Sequence, residues 1–162
     1  MRGGWFHIYL PSDGASIFQT DADYQAFLDQ CRHYLQDTKT LAYCLLPDRF
    51  HFLLSDSAEL ERQLRLLFTT VRVNRPIQRI PLHDEAAIKP LIRYIHANPA
   101  KHGFTDNFRT WRWSSYRAIL ANKPTQVAAR EVLRRFHGVE WFEEQHWLPV
   151  DEGRIGYLIL RD

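Results

Sequence analysis

The chain has no apolar run approaching the ~20 residues needed to cross a bilayer. Its first residues, Met1-Arg2-Gly3-Gly4, lead into a strand pattern without the apolar segment of a signal peptide. Both absences argue against a membrane role, and the expected compartment is the cytoplasm. Cysteine is scarce. Cys31 and Cys44 fall outside any C-x-x-C spacing, so buried free thiols in a reducing compartment are expected. Repetitive and low-complexity tracts are missing too, and a 45% hydrophobic, 14% aromatic composition is that of a folded protein with an aromatic-rich core. A formal net charge of +2 is too small to identify a partner.

What is present is enough for one core: 162 residues are too few for two independent domains. Residues 1–120 are expected to form the principal domain, with residues 121–162 a helical extension packed into the same unit. The positive charge is unevenly spread. Arg62, Arg65, Arg72, Arg75 and Arg79 share a stretch without acids, and Lys101, Arg109, Arg112 and Arg117 face only Asp106.

Alternation in Trp5-Phe6-His7-Ile8-Tyr9-Leu10 predicts a first strand with Phe6, Ile8 and Leu10 on one face and Trp5, His7 and Tyr9 on the other. A helix capped by Thr20 or Asp21 follows, with Tyr24, Phe27, Leu28, Cys31 and Leu35 at helical spacing. Residues 40–46 form a second strand, and Pro47-Asp48 turns into a third, Arg49-Phe50-His51-Phe52-Leu53-Leu54, whose Phe50, Phe52 and Leu54 face the core. Leu60, Leu64, Leu67, Phe68 and Val71 predict an amphipathic helix over about 57–74. The stretch 75–83, with Pro76 and Pro81, is either a very short strand or a connector. A helix after Asp84 buries Ile88, Leu91, Ile92 and Ile95 and is expected to stop near Asn98, because Pro99 disfavours helical geometry before it. A short helix capped by Ser114 or Ser115, helices over about 125–136 and 139–146, and a terminal strand over 154–160 complete the expectation. The order is that of an α+β, ferredoxin-like (RRM-like) fold: an antiparallel sheet with helices on one face and an α-helical C-terminal tail.

Two pairs of residues could carry chemistry. Arg49 and His51 share the non-core face of their strand, where they could bind a phosphate or hold part of a metal site. Tyr94 and Asn98, four apart on a helix, lie one above the other. That spacing suits a nucleophile beside a ligand for metal or phosphate, and equally a packing tyrosine before a helix end.

Taken together, Leu46-Pro47-Asp48-Arg49-Phe50-His51-Phe52-Leu53-Leu54, then Arg93-Tyr94-Ile95-His96-Ala97-Asn98-Pro99-Ala100-Lys101-His102-Gly103, then Trp111-Arg112-Trp113-Ser114-Ser115-Tyr116 resemble three ordered signatures of the single-tyrosine HUH transposases, particularly the REP-associated tyrosine transposases. The likeness covers roughly residues 5 to 120. It implies single-stranded or hairpin DNA as partner and cleavage through a 5′-phosphotyrosine. Tyr94 matches the nucleophile, His51 the second histidine of the strand pair and Asn98 the helix position that completes a site for Mg²⁺ or Mn²⁺. The cation matters because a tyrosine of pKa ~10 is a poor nucleophile without a Lewis acid on the phosphate.

The chain departs from the pattern at the first strand histidine, which is Arg49 here, and at the preceding position, which is Asp48. An arginine cannot donate a lone pair to a metal. Three outcomes follow: Arg49 clamps the phosphate by its own charge, His7 supplies the missing nitrogen, or cleavage is lost and a DNA binder remains. Arg62, Arg65, Arg72, Lys101 and Arg112 would contact phosphates, and Trp111, Trp113 or Trp5 would stack on unpaired bases. The leading expectation is a DNA-binding, transposase-like protein acting on repetitive hairpin DNA with a degenerate site that impairs or alters cleavage. The alternatives are an active single-tyrosine transposase or endonuclease and a non-catalytic ferredoxin-like module for RNA or protein. The oligomeric state, monomer or dimer, is left open.

Overall fold

The computed structural model describes residues 4–123 and 126–162. Strand β1 (Trp5–Leu10) leads to helix α1 (Asp21–Tyr34), then β2 (Thr40–Leu46), β3 (Arg49–Ser55), α2 (Leu60–Phe68) and β4 (Gln78–Pro81). The sheet has the order β2-β3-β1-β4 with every pair antiparallel, which is the ferredoxin-like arrangement expected from the pattern. Thr20 caps α1 through a capping box with Asp23. The short segment between the two prolines is a strand: it pairs with β1, setting Phe6 opposite Pro81 and His7 opposite Ile80.

Alternation in β1 and β3 sends Ile8, Leu10, Phe50, Phe52 and Leu54 to one face, where they pack against Phe27 and Leu28 of α1 and Leu60, Leu64 and Leu67 of α2. The opposite face is covered as well. Helix α3 (Ile88–Lys101) lies there, followed by α4 (Tyr116–Leu120), α5 (Ala129–Arg135) and α6 (Val139–His146). Ile92, Ile95, Val132, Phe136, Phe142, Ile155 and Leu158 join Trp5, Leu41 and Leu53 in one core. Helices on one face thus describes α1 and α2, and α3 with the tail makes a third layer.

Three expectations need correction. Helix α3 runs past Asn98 to Lys101 with Pro99 inside it. The ring falls in the last turn, which closes through His102 N donating to Asn98 O and Phe104 N donating to Pro99 O. Pro90 sits in the first turn, where a missing N–H removes no helical bond. The helix after Ser57 is shorter than its stripe, ending at Phe68. Residues 154–160 are not a strand: tight helical turns occupy Glu152–Arg154 and Gly156–Leu158. Ile155 and Leu158, three apart, both point inward, and β4 already fills the sheet edge beside β1. The expected start of the helix over 125–136 lies outside the described residues; its observed span begins at Ala129.

The other edge of the sheet is covered by the 113–115 segment, where Leu45 N donates to Trp113 O (2.8 Å) and Ser115 N to Tyr43 O (3.0 Å). A buried chain of side chains then ties the tail to this edge. His146 Nδ1 can only donate to Phe142 O (2.6 Å), so its Nε2 accepts from His96 Nδ1 (2.8 Å), and His96 Nε2 accepts from the Ser115 hydroxyl (2.7 Å). Both histidines are therefore neutral. Burial lowers the pKa of His96 well below its usual value, with His146 adding to the effect, and burial takes that of His146 down to about 4.

A group that refuses its proton when folded makes the unfolded state the better proton acceptor, so stability falls as pH drops below the unfolded histidine value of about 6.5. Lowering the pH from 7 to 5 is expected to cost about 2 kcal/mol from His146 alone. Urea unfolding at the two pH values checks this, and a midpoint that does not move would contradict it.

Candidate active site

The pairing of β1 with β3 sets Tyr9 opposite His51 and His7 opposite Leu53. His7, Tyr9 and His51 therefore share the face that meets α3, and their rings stack, with centroids 4.4 Å apart for His7 and Tyr9 and 5.5 Å for Tyr9 and His51. From α3, Tyr94 meets the His51 ring edge-on at 6.0 Å and is only 2% exposed.

Hydrogen bonds fix the tautomers. His7 Nδ1 faces the Leu158 carbonyl (2.8 Å) and must donate to it, so His7 Nε2 is an acceptor. That acceptor receives the proton of His51 Nδ1 (3.0 Å), which turns His51 Nε2 away from β1. Burial, reinforced by His51, lowers the His7 pKa to about 3 and keeps it neutral.

The side chain at the centre is Asp162, fully buried. Its Oδ2 accepts the Tyr94 hydroxyl, and its Oδ1 stands 3.2 Å from His51 Nε2. This second contact lies within ion-pair range but is not aligned as a hydrogen bond, leaving both atoms buried without a hydrogen-bond partner. Burial pushes the Asp162 carboxyl up, but His51, the Tyr94 hydroxyl and His102 outweigh it and hold the group well below the usual carboxylate range. Tyr94 is pushed up by burial and by the Asp162 charge. In this arrangement the phenol is a hydrogen-bond donor and a poor nucleophile.

Two cations and a further imidazole, whose pKa is lowered by burial and then by Arg49, surround the pair. Lys101 Nζ lies 3.4 Å from the Tyr94 hydroxyl and 4.5 Å from its ring centroid. His102 Nε2 is 4.0 Å from Asp162 Oδ2, and Arg49 Nη1 stands 3.2 and 3.1 Å from the His102 ring nitrogens Nδ1 and Nε2. Arg49 also pairs with Asp48 at 3.1 Å, and Asp48 accepts from Ser12 at 2.6 Å. Arg75 fastens this corner by donating to Pro11 O (2.6 Å), Asp48 O (2.6 Å) and Asp13 Oδ1 (2.7 Å).

Asn98 is buried one turn after Tyr94. Its Nδ2 donates to the Tyr94 carbonyl (2.9 Å), which leaves Oδ1 buried and without a partner. Among the described residues no cluster of three or more His, Cys, Asp or Glu side chains is gathered as a metal site.

The structure thus brings Tyr94, His51, His7, Arg49 and Lys101 to one place and sets Asn98 on the same helix. It does not bring Arg62, Arg65 or Arg72 there. Arg62 and Arg65 stand on α2, across the sheet from α3, with Arg62 3.7 Å from Glu59, and Arg72 follows that helix. Arg112 pairs with Asp21 at 3.6 Å and stacks on Trp113 at 4.6 Å. Trp5 and Trp113 are core residues, and Trp111 donates its indole N–H to Leu45 O. Sequence reasoning missed Asp162, His102 and Arg75. His102 lies within the third-helix signature, but Asp162 is 68 positions from Tyr94 and carries no local signal.

No family model and no curated protein matches the chain. Among solved structures, that of a REP-associated tyrosine transposase bound to a REP hairpin is similar, with a TM-score of 0.62 and 18% identity, over 75% of this chain and 81% of that one. At that identity the likeness establishes a shared fold.

Arg75 is the only described side chain that holds the loop after β1 and the β2–β3 turn together through backbone carbonyls. Arg75→Ala is expected to raise amide exchange at residues 12–13 and 48–49 by about tenfold, with a loss of roughly 1–3 kcal/mol in stability. Exchange confined to residues 75 and 77 would contradict this role.

Proposed function

We propose that the protein binds single-stranded or hairpin DNA and belongs functionally with the tyrosine transposases, its strand-cleaving site altered by Arg49. The observation that carries the reading is the environment of Tyr94: a hydroxyl held against an anionic group and ringed by His51, His102, Lys101 and Arg49. A phosphodiester is an anion of the kind such a ring accepts. The shared fold with a hairpin-bound transposase supports the same partner class.

In the proposed reaction the Tyr94 hydroxyl gives its proton to Asp162 Oδ2, its oxygen attacks phosphorus and a phosphotyrosine bond forms, while the P–O3′ bond breaks and the 3′-oxygen leaves as a hydroxyl that takes up that proton. Lys101 stabilises charge on the Tyr94 oxygen, and Arg49 with His102 would carry charge on the phosphate. The buried lone pairs of His51 Nε2 and Asn98 Oδ1 fit a divalent cation such as Mg²⁺ or Mn²⁺, which when bound would polarise the phosphate. A second reading, DNA binding without cleavage, is favoured by the burial of Tyr94 under Asp162. Phosphate contacts from Arg112 and Lys101 serve either.

Incubation with labelled hairpin DNA and Mn²⁺ separates the two. A slow SDS-stable adduct is expected, lost in Tyr94→Phe while hairpin affinity changes less than about twofold. Arg49→His is expected to speed adduct formation. Binding without any adduct supports the binding-only reading, and absence of salt-dependent hairpin binding overturns both. Arg112→Ala is expected to weaken binding and reduce the slope of log K against log salt by about 1.

A further inference from the structure

We infer that Asp162 is a metal ligand: with His51 Nε2 and Asn98 Oδ1 it completes a divalent-cation site, supplying the donor that Arg49 cannot. The inference deepens the proposed tyrosine site and rests on that reading for its purpose, although cation binding itself needs no DNA.

The first support is the fixed tautomer. The Leu158 carbonyl makes His7 Nδ1 a donor and His7 Nε2 takes the proton of His51 Nδ1, so the ring nitrogen that His51 directs at Asp162 is Nε2. A hydrogen bond from the second ring nitrogen is how proteins orient a metal-binding histidine. The residue that starts this relay, Leu158, lies in the same segment as Asp162.

The second support is what Nε2 faces. His51 Nε2 and Asp162 Oδ1 stand 3.2 Å apart, both buried and without hydrogen-bond alignment, so neither atom is committed to another partner by a hydrogen bond. Ligands bound at about 2.1 Å to one octahedral cation, at right angles, stand about 3 Å apart. Among the described residues seven buried side-chain polar atoms lack a hydrogen bond; His51 Nε2, Asp162 Oδ1 and Asn98 Oδ1 are among them, and all three carry lone pairs. Asn98 is committed to that role, because its amide nitrogen is spent on the Tyr94 carbonyl. One imidazole, one carboxylate and one amide form a donor set suited to Mn²⁺ or Mg²⁺, with remaining positions for water or phosphate oxygen. Asp162 Oδ2 meanwhile bonds the Tyr94 hydroxyl, so a single carboxylate links the cation to the nucleophile.

The test is titration of the full chain with MnCl₂, without DNA, followed by electron paramagnetic resonance of free Mn²⁺ and by calorimetry. One Mn²⁺ per chain is expected, with affinity at least tenfold weaker in Asp162→Asn and 10- to 100-fold weaker in His7→Gln, which breaks the relay. Asp151→Asn, an exposed carboxylate on the same segment, should bind as the wild type does. Circular dichroism and the melting temperature establish that each variant is folded, and Asp162→Ala gives a second reading should the amide of Asp162→Asn substitute as a ligand. Unchanged or tighter Mn²⁺ binding in Asp162→Ala overturns the inference and makes the segment a cover over Tyr94 only. Absence of Mn²⁺ binding by the wild type overturns it too. Loss of hairpin binding with Mn²⁺ binding intact would instead sink the DNA reading.

Discussion

Everything at the site depends on the register between β1 and β3. With Ile8 opposite Phe52 and Tyr9 opposite His51, the apolar set enters the core beneath α1 and α2, and the imidazoles emerge together on the other face. A slip of β3 by one residue would turn His51 in beneath α1 and α2 and send Phe50, Phe52 and Leu54 to the face of α3. The aromatic core, with Phe50 meeting Phe27, Phe52 and Phe68 at 5.6, 5.7 and 5.4 Å between centroids, prevents that slip. Hydrophobic packing on one side of the sheet thereby positions the chemistry on the other, and no residue of the site has to hold the register itself.

Charge explains why a carboxylate can be buried there. An isolated ionised carboxyl at zero exposure would neutralise itself. Asp162 stays ionised because a tyrosine hydroxyl, two imidazoles and, one shell farther out, Arg49 and Lys101 surround it. Arg49 does not touch Tyr94. Its Nη1 reaches the two ring nitrogens of His102 and the guanidinium is held by Asp48, which sets a positive charge at the rim of the centre.

The fold was legible where the signal was local. Strand alternation, the α1 capping box and the stripe of α2 needed only neighbouring residues, and they gave the sheet and its α1–α2 face. The third layer was not legible in the same way. Pro99 reads as a stop from its immediate neighbours, yet the burial of Tyr94, Ile95 and Asn98 against the sheet holds the helix through it. The apolar residues 155–160 read as a strand by composition, whereas their conformation is set by where Ile155 and Leu158 find core. The site divides along the same line. His51, Tyr94 and Asn98 are carried by signatures, and the β1–β3 pairing brings His7 to them. Asp162 follows from the path of the tail, which no short pattern records.

That path also sets how the proposed nucleic-acid partner could reach the tyrosine. Tyr94 is buried while Asp162 Oδ2 holds its hydroxyl, so a phosphate can approach only after this bond is exchanged for one to the nucleic acid. Breaking a hydrogen bond to a charged group costs about 1.5–3 kcal/mol, which corresponds to a 10- to 150-fold loss of apparent affinity. Non-specific binding of nucleic acid at 10⁻⁴ to 10⁻⁶ M is worth about 5 to 8 kcal/mol. Phosphate contacts can therefore drive the exchange without unfolding the tail, whose Ile155 and Leu158 anchors stay in the core. Residues 159–162 are the stretch between the Leu158 anchor and the carboxylate. For the proposed hairpin partner, closure by Asp162 would make access to the tyrosine depend on how strongly that partner engages the surrounding cations.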